Sequence, residues 1–273
     1  MIANNVICSN ARRRNSAPAS RYTEVSGLQF WLETKNDSYI VKDASNFISR
    51  QIDRIQAINL DQNVAASKPT YIPEPGIFNN HDASNFDMFS GDQFLSGSLL
   101  SAISSAQTGN IYLATYIVPL IDGEWLWSVS DTSRDDVIFG IKTYDAGAGS
   151  FRFAFHHVNS GGTPTVAYGD TVITAGGPFV VEITSQGTSM FMYVNGVLQN
   201  LTYASATPNG DWFADLLTPN MICINHLITN SLSQVGPLSA FALLLIYDTY
   251  QSAADRAIIY DQLETDFPEI TFP

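Results

Sequence analysis

The stretch that decides the fold is residues 179–199, FVVEITSQGTSMFMYVNGVLQ. In its first half Val181 and Ile183 alternate with Glu182 and Thr184, and in its second half Met190, Met192 and Val194 alternate with Phe191 and Tyr193. A period of two marks β-strands, whose successive side chains point to opposite faces. Asn195-Gly196 follows at once, ahead of the apolar pair Val197-Leu198. Asn-Gly between alternating apolar residues is the strongest short-range hairpin signal, because a type I′ turn needs positive φ at both central positions. The stretch therefore predicts a tight antiparallel hairpin.

The same pattern recurs along the chain from Gly27 onward. GLQFWLE, NIYLATYIVP, EWLWSVS, DVIFGIK, FRFAFHHV and SAFALLLIYD are separated by clusters of Gly, Pro, Asn, Asp and Ser. Many short strands between turn signals predict an all-β sandwich or jelly roll. Alternation assigns faces as well. Phe151, Phe153 and Phe155 point one way, into the core, and Arg152, Ala154 and His156 the other. By the same reading Trp125 and Trp127 face the core, with Glu124 and Ser128 opposite, and Val181 and Ile183 face it with Glu182 and Thr184 opposite.

One helix is expected, and it comes last. Ser252 is a suitable N-cap with Asp255 three residues on, Ile259, Leu263 and Phe267 recur at four-residue spacing, and Pro268 stops the helix.

Composition limits the function classes. The chain has 273 residues, 45% hydrophobic and 14% charged, with 18 Gly and 12 Pro, which suits short strands joined by turns. The formal net charge of −13 argues against nucleic acid as a partner, because phosphate binding relies on clustered Lys and Arg. Cys8 and Cys223 cannot form a disulfide framework, and Cys223, within MICINHL, reads as a buried thiol. The first 20 residues lack the apolar core of a signal peptide, and no run of about 18 apolar residues spans a membrane. These features lead one to expect folding in a cytoplasm. Residues 1–26 form a separate zone rich in Asn, Ser, Ala and Arg, which reads either as a solvated tail or as a docking arm carrying Arg12, Arg13 and Arg14. Residues 27–273 form the sandwich domain.

Four segments carry a resemblance: SGLQFWLET, KPTYIPEPGIFNNHDASNFDMFSGDQFL, FVVEITSQGTSMFMYVNGVLQ and GPLSAFALLLIYDTYQSAADRAIIYDQLETDF. Their order over residues 26–268 resembles that of laminin-G-like domains of the concanavalin A-like lectin/glucanase superfamily. The resemblance implies a two-sheet antiparallel jelly roll with one short C-terminal helix and a concave sheet. Its glucanase branch uses a Glu-x-Asp-x-x-Glu strand whose carboxylates stand about 5 Å apart for retaining chemistry. ETDFPE, with Glu264, Asp266 and Glu269, matches the pattern literally. The match falls at the end of the expected helix, and Pro268 would break a central strand, so no enzyme is expected.

Other chemistries lack support. There is no Gly-x-Ser-x-Gly and no His-Glu-x-x-His. His156 and His157, adjacent in a strand, face opposite sides and read as surface or edge residues rather than metal ligands. Asp131, Asp135 and Asp136 in DTSRDD could ligate Ca²⁺, with an ordinary acidic turn as the competing reading, and no cofactor is expected. The leading expectation is a structural virion protein, capsid-decorating or tail-associated, that presents a lectin-like jelly roll on the particle surface. The alternative is a free carbohydrate-binding lectin or adhesin. Expected partners are other virion proteins through the arm, cell-surface or environmental glycans, and copies of itself. Neither a membrane nor nucleic acid is expected as a partner. The candidate glycan groove is Glu124, Ser128, Arg152, His156, Glu182 and Thr184, with Trp212 in NGDWFAD as its stacking platform.

Overall fold

A computed structural model of the chain describes residues 20–35, 37–73, 78, 82–86, 94–96, 103–118, 124–158, 162, 164–206, 212–237 and 239–273. The expected arginine triplet and Cys8 lie outside them. The strands, in chain order, begin with β1 (Leu28–Glu33), β2 (Ile40–Lys42), β3 (Ile48–Ile52), β4 (Asn59–Asp61), β5 (Thr70–Ile72), β6 (Ala83–Phe86) and β7 (Phe94–Ser96). There follow β8 (Gly109–Ile117), β9 (Trp125–Ser130), β10 (Ile138–Gly147), β11 (Ser150–Val158), β12 (Pro164–Tyr168), β13 (Gly177–Ser185) and β14 (Met190–Val194). The last are β15 (Val197–Leu198), β16 (Thr202–Tyr203), β17 (Met221–Ile224), β18 (His226–Ile228), β19 (Ser233–Val235) and β20 (Ser239–Tyr247), before helix α1 (Ala253–Asp266).

The strands form an antiparallel jelly-roll sandwich. The first sheet runs β15-β14-β13-β8-β20-β6-β5, with β1 also on β20, and the second runs β16-β12-β11-β10-β9-β17-β7-β4-β3-β2. Between them lies the main core, to which the first sheet gives Leu113, Val181, Ile183 and Ile246 and the second gives Trp127, Phe139, Phe151, Phe153 and Phe155. The three phenylalanines face inward as their alternation predicts, at 3%, 1% and 0% exposure.

The Asn-Gly turn is as expected. Asn195 and Gly196 both have positive φ, 49° and 76°, and the turn pairs Val194 with Val197 and Tyr193 with Leu198. Asn195 also fastens to β13: its Oδ1 accepts from Val180 N, and its N donates to Val180 O, both at 2.8 Å.

A second apolar layer covers the outer face of the first sheet. Strand β20 is buried along all of its length. Phe241, Leu244 and Ile246 enter the main core, while Leu243, Leu245 and Tyr247 pack under Ile259, Leu263 and Phe267 of α1. Burial on both faces explains why SAFALLLIY is a continuous apolar run rather than an alternating one. Helix α1 begins as predicted: Ser252 Oγ accepts from Asp255 N at 3.2 Å, and Asp255 Oδ2 accepts from Ser252 N at 3.2 Å.

Tyr22 and Val25, which composition groups with the arm, pack in this layer. Tyr22 is fully buried and Val25 is 3% exposed. Tyr22 Oη donates to Asp266 Oδ2 at 2.9 Å, and Tyr247 Oη donates to Tyr22 O at 3.0 Å. The apolar Tyr22 and Val25 dock on α1 and β20 in spite of the polar composition around them.

Candidate functional site

The expected groove residues divide between the two sheets, so they do not line one surface. Glu182 and Thr184 project from the outer face of the first sheet, where α1 covers Glu182, and they are 1% and 0% exposed. Glu182 is instead the centre of a buried polar cluster. Asn110 Nδ2 donates to Glu182 Oε1 at 2.6 Å, Tyr260 Oη donates to Glu182 Oε2, and Arg256 Nη1 lies 3.8 Å from Oε1. Burial pushes the Glu182 carboxyl up to about 7, against the opposing pull of Tyr260, Arg256 and Asn110. Alternation placed this side chain outward correctly, but outward here means beneath the helix.

Trp212 is no stacking platform. It is fully buried in the main core, with ring centroids 5.2 Å from Phe139 and 5.4 Å from Phe213. Its backbone N donates to Asp215 Oδ2 at 2.8 Å, and its carbonyl accepts from His157 Nε2 at 3.1 Å. The polar residues around Trp212 suggest an exposed loop, yet the Trp212 ring turns inward against Phe139 and Phe213. His157 lies on the phenylalanine face of β11 and is fully buried, which corrects the surface reading of that residue.

The acidic turn does not gather its carboxylates. Asp131 Oδ1 accepts from Ser133 N at 2.8 Å and Asn220 Nδ2 at 2.9 Å, while Asp135 Oδ1 accepts from Thr229 Oγ1 at 2.7 Å and Ser231 N at 2.8 Å. Asp136 pairs with Arg134 at 2.6 Å. Among the described residues no three His, Cys, Asp or Glu side chains converge as a metal site. The carboxylates of ETDFPE likewise serve other ends or stand apart. Asp266 accepts from Tyr22 and ion-pairs with Lys35 Nζ at 2.8 Å, Glu264 is exposed near the end of α1, and Glu269 follows the helix.

Ser128 also leaves the groove. It is fully buried, and its Oγ donates to His226 O at 2.6 Å, while Ser130 Oγ donates to Ile228 O. These hydroxyls dock the β18–β19 hairpin onto the outer face of β9. Burial there depresses His226 to about 4.

Trp125 lies on this outer face too, contrary to the alternation reading. On β10, Ile141 pairs with Trp127 and the next residue, Lys142, pairs with Trp125, so Leu126 is an extra residue in β9. A β-bulge of this kind turns two consecutive side chains to one side. Leu126 and Trp127 therefore both enter the main core, and Trp125 is sent out to pack with Ile138, Val158 and Leu227. Its Nε1 donates to Gln234 Oε1 of the hairpin at 2.9 Å. The bulge depends on Gly140, where a Cβ would fall 2.3 Å from Trp127 O and 2.9 Å from Trp125 Cζ3.

Among the described residues, the outer face of β10, β11 and β12 carries half-buried rather than buried side chains. Lys142 pairs with Ala154, which pairs with Tyr168, and Tyr144 pairs with Arg152 in the next row. Lys142, Tyr144, Arg152 and Tyr168 are all half-buried. The Tyr144 and Tyr168 rings stack with centroids 4.3 Å apart at 13°. The Arg152 guanidinium lies over Tyr168, 5.3 Å from its centroid, and Lys142 Nζ lies 5.4 Å from the Trp125 ring. His156 stacks on Trp125 at 5.5 Å, and burial, aided by the nearby Lys142 charge, depresses it to about 4, so the imidazole is neutral at pH 7. Glu124 is half-buried at the start of β9, tied to β10 by Thr143 N donating to Glu124 O at 2.9 Å.

Of the seven expected residues, this surface therefore keeps Arg152, with His156 and Glu124 at its margin. It adds Lys142, Tyr144 and Tyr168, which the sequence reading missed. Lys142 and Tyr144 alternate with the inward Ile141 and Thr143, so the signal was present. The partnership with Tyr168 needed the strand order.

No protein-family model matches the sequence, and no curated protein is similar to it. Similarity to solved structures is of fold. A Trypanosoma rangeli sialidase in complex with 2,3-difluorosialic acid superposes with a TM-score of 0.52 at 12% identity, over 89% of this chain and 34% of that one. The same sialidase in complex with sialic acid gives a TM-score of 0.50 at 13% identity, over 89% and 33%. The CBM40 module of a Ruminococcus gnavus IT-sialidase gives 0.49 at 12% identity, over 66% of this chain and 92% of the module.

Proposed function

We propose that the chain is a non-enzymatic, lectin-like module that holds a glycan on the outer face of β10, β11 and β12. The observation that carries the reading is the stacked Tyr144–Tyr168 pair, half-exposed and flanked by Lys142 and Arg152. A sugar ring presents apolar C–H faces and a polar rim, and a flat aromatic surface with adjacent charged donors complements both. Part of the opposite outer face is covered by Tyr22, Val25 and α1, which favours the second sheet as the platform. The carboxylates of ETDFPE lie with α1 on the other side of the sandwich, away from this face. The sialidase that this chain resembles in fold is in complex with sialic acid, a property of that protein which suggests saccharides as the first ligands to try.

A glycan array with the wild type, followed by calorimetry on the selected saccharide, tests the reading. Binding that Tyr168→Ala and Tyr144→Ala abolish supports it. Binding that survives both substitutions places the ligand elsewhere, and hydrolysis of the bound saccharide overturns the non-enzymatic part. The proposal holds for a free module and for one carried on a virion, as the sequence leads one to expect. Sedimentation with assembled particles in a density gradient distinguishes the two.

A further inference from the structure

Arg152 differs from the other described arginines. Arg21, Arg50, Arg54, Arg134 and Arg256 each have a carboxylate within salt-bridge distance. Arg152 has an aromatic neighbour, Tyr168, and, among the described residues, no carboxylate within salt-bridge distance and no hydrogen-bond partner for its Nε, which is out of solvent. An arginine left without a carboxylate is unusual in a chain with 26 acidic residues against 13 basic ones. Two acidic residues of the neighbouring turns accept hydrogen bonds from other groups. Asp145, across from Phe151, accepts from Gly147 N at 2.7 Å, and Asp170 accepts from Asn200 Nδ2 at 2.6 Å. Lys142, in the adjacent row of the same face, adds a second positive charge.

The guanidinium is also held in place. Its stem rises from β11 opposite Tyr144 of β10, and its guanidinium reaches over the ring of Tyr168, which sits in the adjacent row on β12, a cation–π contact that favours this orientation. A planar, pre-oriented fork of N–H donors matches the two oxygens of a carboxylate.

We infer, resting on the glycan reading above, that the ligand of this face is an acidic saccharide whose carboxylate is taken by Arg152 while a neighbouring ring lies on the Tyr144–Tyr168 stack. Sugars bearing a carboxylate, as uronic or nonulosonic acids do, fit the planar fork. Sulfated sugars share the negative charge but present a tetrahedral group.

The test is calorimetric titration of the full chain with three matched oligosaccharides, one carboxylated, one sulfated and one neutral. The wild type, Arg152→Gln, Arg152→Lys and Tyr168→Ala are compared, each checked for an unchanged melting temperature. The carboxylated saccharide should bind the wild type at least tenfold more tightly than the neutral one. Arg152→Gln should weaken it roughly 10- to 100-fold, the loss of charge-assisted hydrogen bonds, and weaken the neutral saccharide clearly less. Arg152→Lys should recover part of the affinity, through charge alone. Equal binding of neutral and carboxylated saccharides, with Arg152→Gln silent and Tyr168→Ala inactive, would overturn the acidic-ligand inference while leaving the glycan reading intact. Tighter binding of the sulfated saccharide would overturn the carboxylate assignment. No binding of any saccharide, or binding indifferent to Tyr168→Ala, would overturn the glycan reading itself.

Discussion

Replacing Glu182 by Gln should change the pH dependence of stability in a way that can be worked out from the burial of this side chain. Glu182 is 1% exposed and its carboxyl titrates at about 7, against an ordinary value near 4.5. Between these values the folded chain keeps a proton that the unfolded chain has lost. The stabilisation is complete below pH 4.5 and disappears as the pH rises through 7. At about 1.4 kcal/mol per pH unit, the window of about 2.5 units corresponds to about 3 kcal/mol. His156 and His226, both depressed to about 4 from 6.5, act in the opposite sense. Their contribution is present above pH 6.5 and is lost as the pH falls towards 4, so wild-type stability alone is a blend of opposing slopes. The difference between Glu182→Gln and wild type removes the histidines, which both proteins share. Gln resembles the protonated acid, so the two should be of similar stability at pH 4.5, and Glu182→Gln should be the more stable by about 3 kcal/mol at pH 8. Urea unfolding followed by tryptophan fluorescence at half-unit intervals, with linear extrapolation, measures it. A difference that stays flat from pH 4.5 to 8, or grows in favour of the wild type, would refute the account of Glu182 as a buried carboxyl clamped under α1.

Further expectations concern the core and the bulge. Trp212→Ala should lower stability by roughly 3–5 kcal/mol in the same urea assay, as for any large aromatic removed from a packed core, and a change under 1 kcal/mol would return Trp212 to the surface. Gly140→Ala places a methyl 2.3 Å from Trp127 O. The expected cost is roughly 1–3 kcal/mol, together with altered tryptophan fluorescence as Trp125 is displaced, and an unchanged melting curve would contradict the bulge geometry. Cys223 is fully buried and its thiol is pushed up to about 12 by burial, so it should react with a thiol reagent only after denaturant is added. Prompt labelling of Cys223 in the native chain, located by peptide mapping, would show that β17 is open.

The parts of the molecule legible in the sequence are those set by residues close together in the chain. Asn195-Gly196 adopts the turn its two residues favour, and Ser252 with Asp255 caps α1, because both devices close within four residues. Phe151, Phe153 and Phe155 face the core because β11 is regular where they sit. Trp125 was misplaced because a single extra residue, Leu126, reverses the phase of the strand, and no local pattern announces it. Glu182 and Ser128 were placed outward correctly, yet the surfaces they point to are covered by segments about 70 or more residues later, α1 and the β18–β19 hairpin. The polarity of its neighbours suggests an exposed Trp212, whereas its ring packs against Phe139, about 70 residues away in the chain, a contact that no local pattern announces. Tyr144, Tyr168 and Arg152 become one surface only when β10, β11 and β12 are set side by side.

The crystal structure of the chain with the saccharide selected from the array tests the central claim most directly. The account predicts a sugar ring lying flat on the Tyr144–Tyr168 stack with its carboxylate within hydrogen-bonding distance of the Arg152 guanidinium. A saccharide seated instead on the Asp131–Asp136 turn, or at the edge formed by Val197 and Leu198, with Tyr144, Tyr168 and Arg152 untouched, would contradict it.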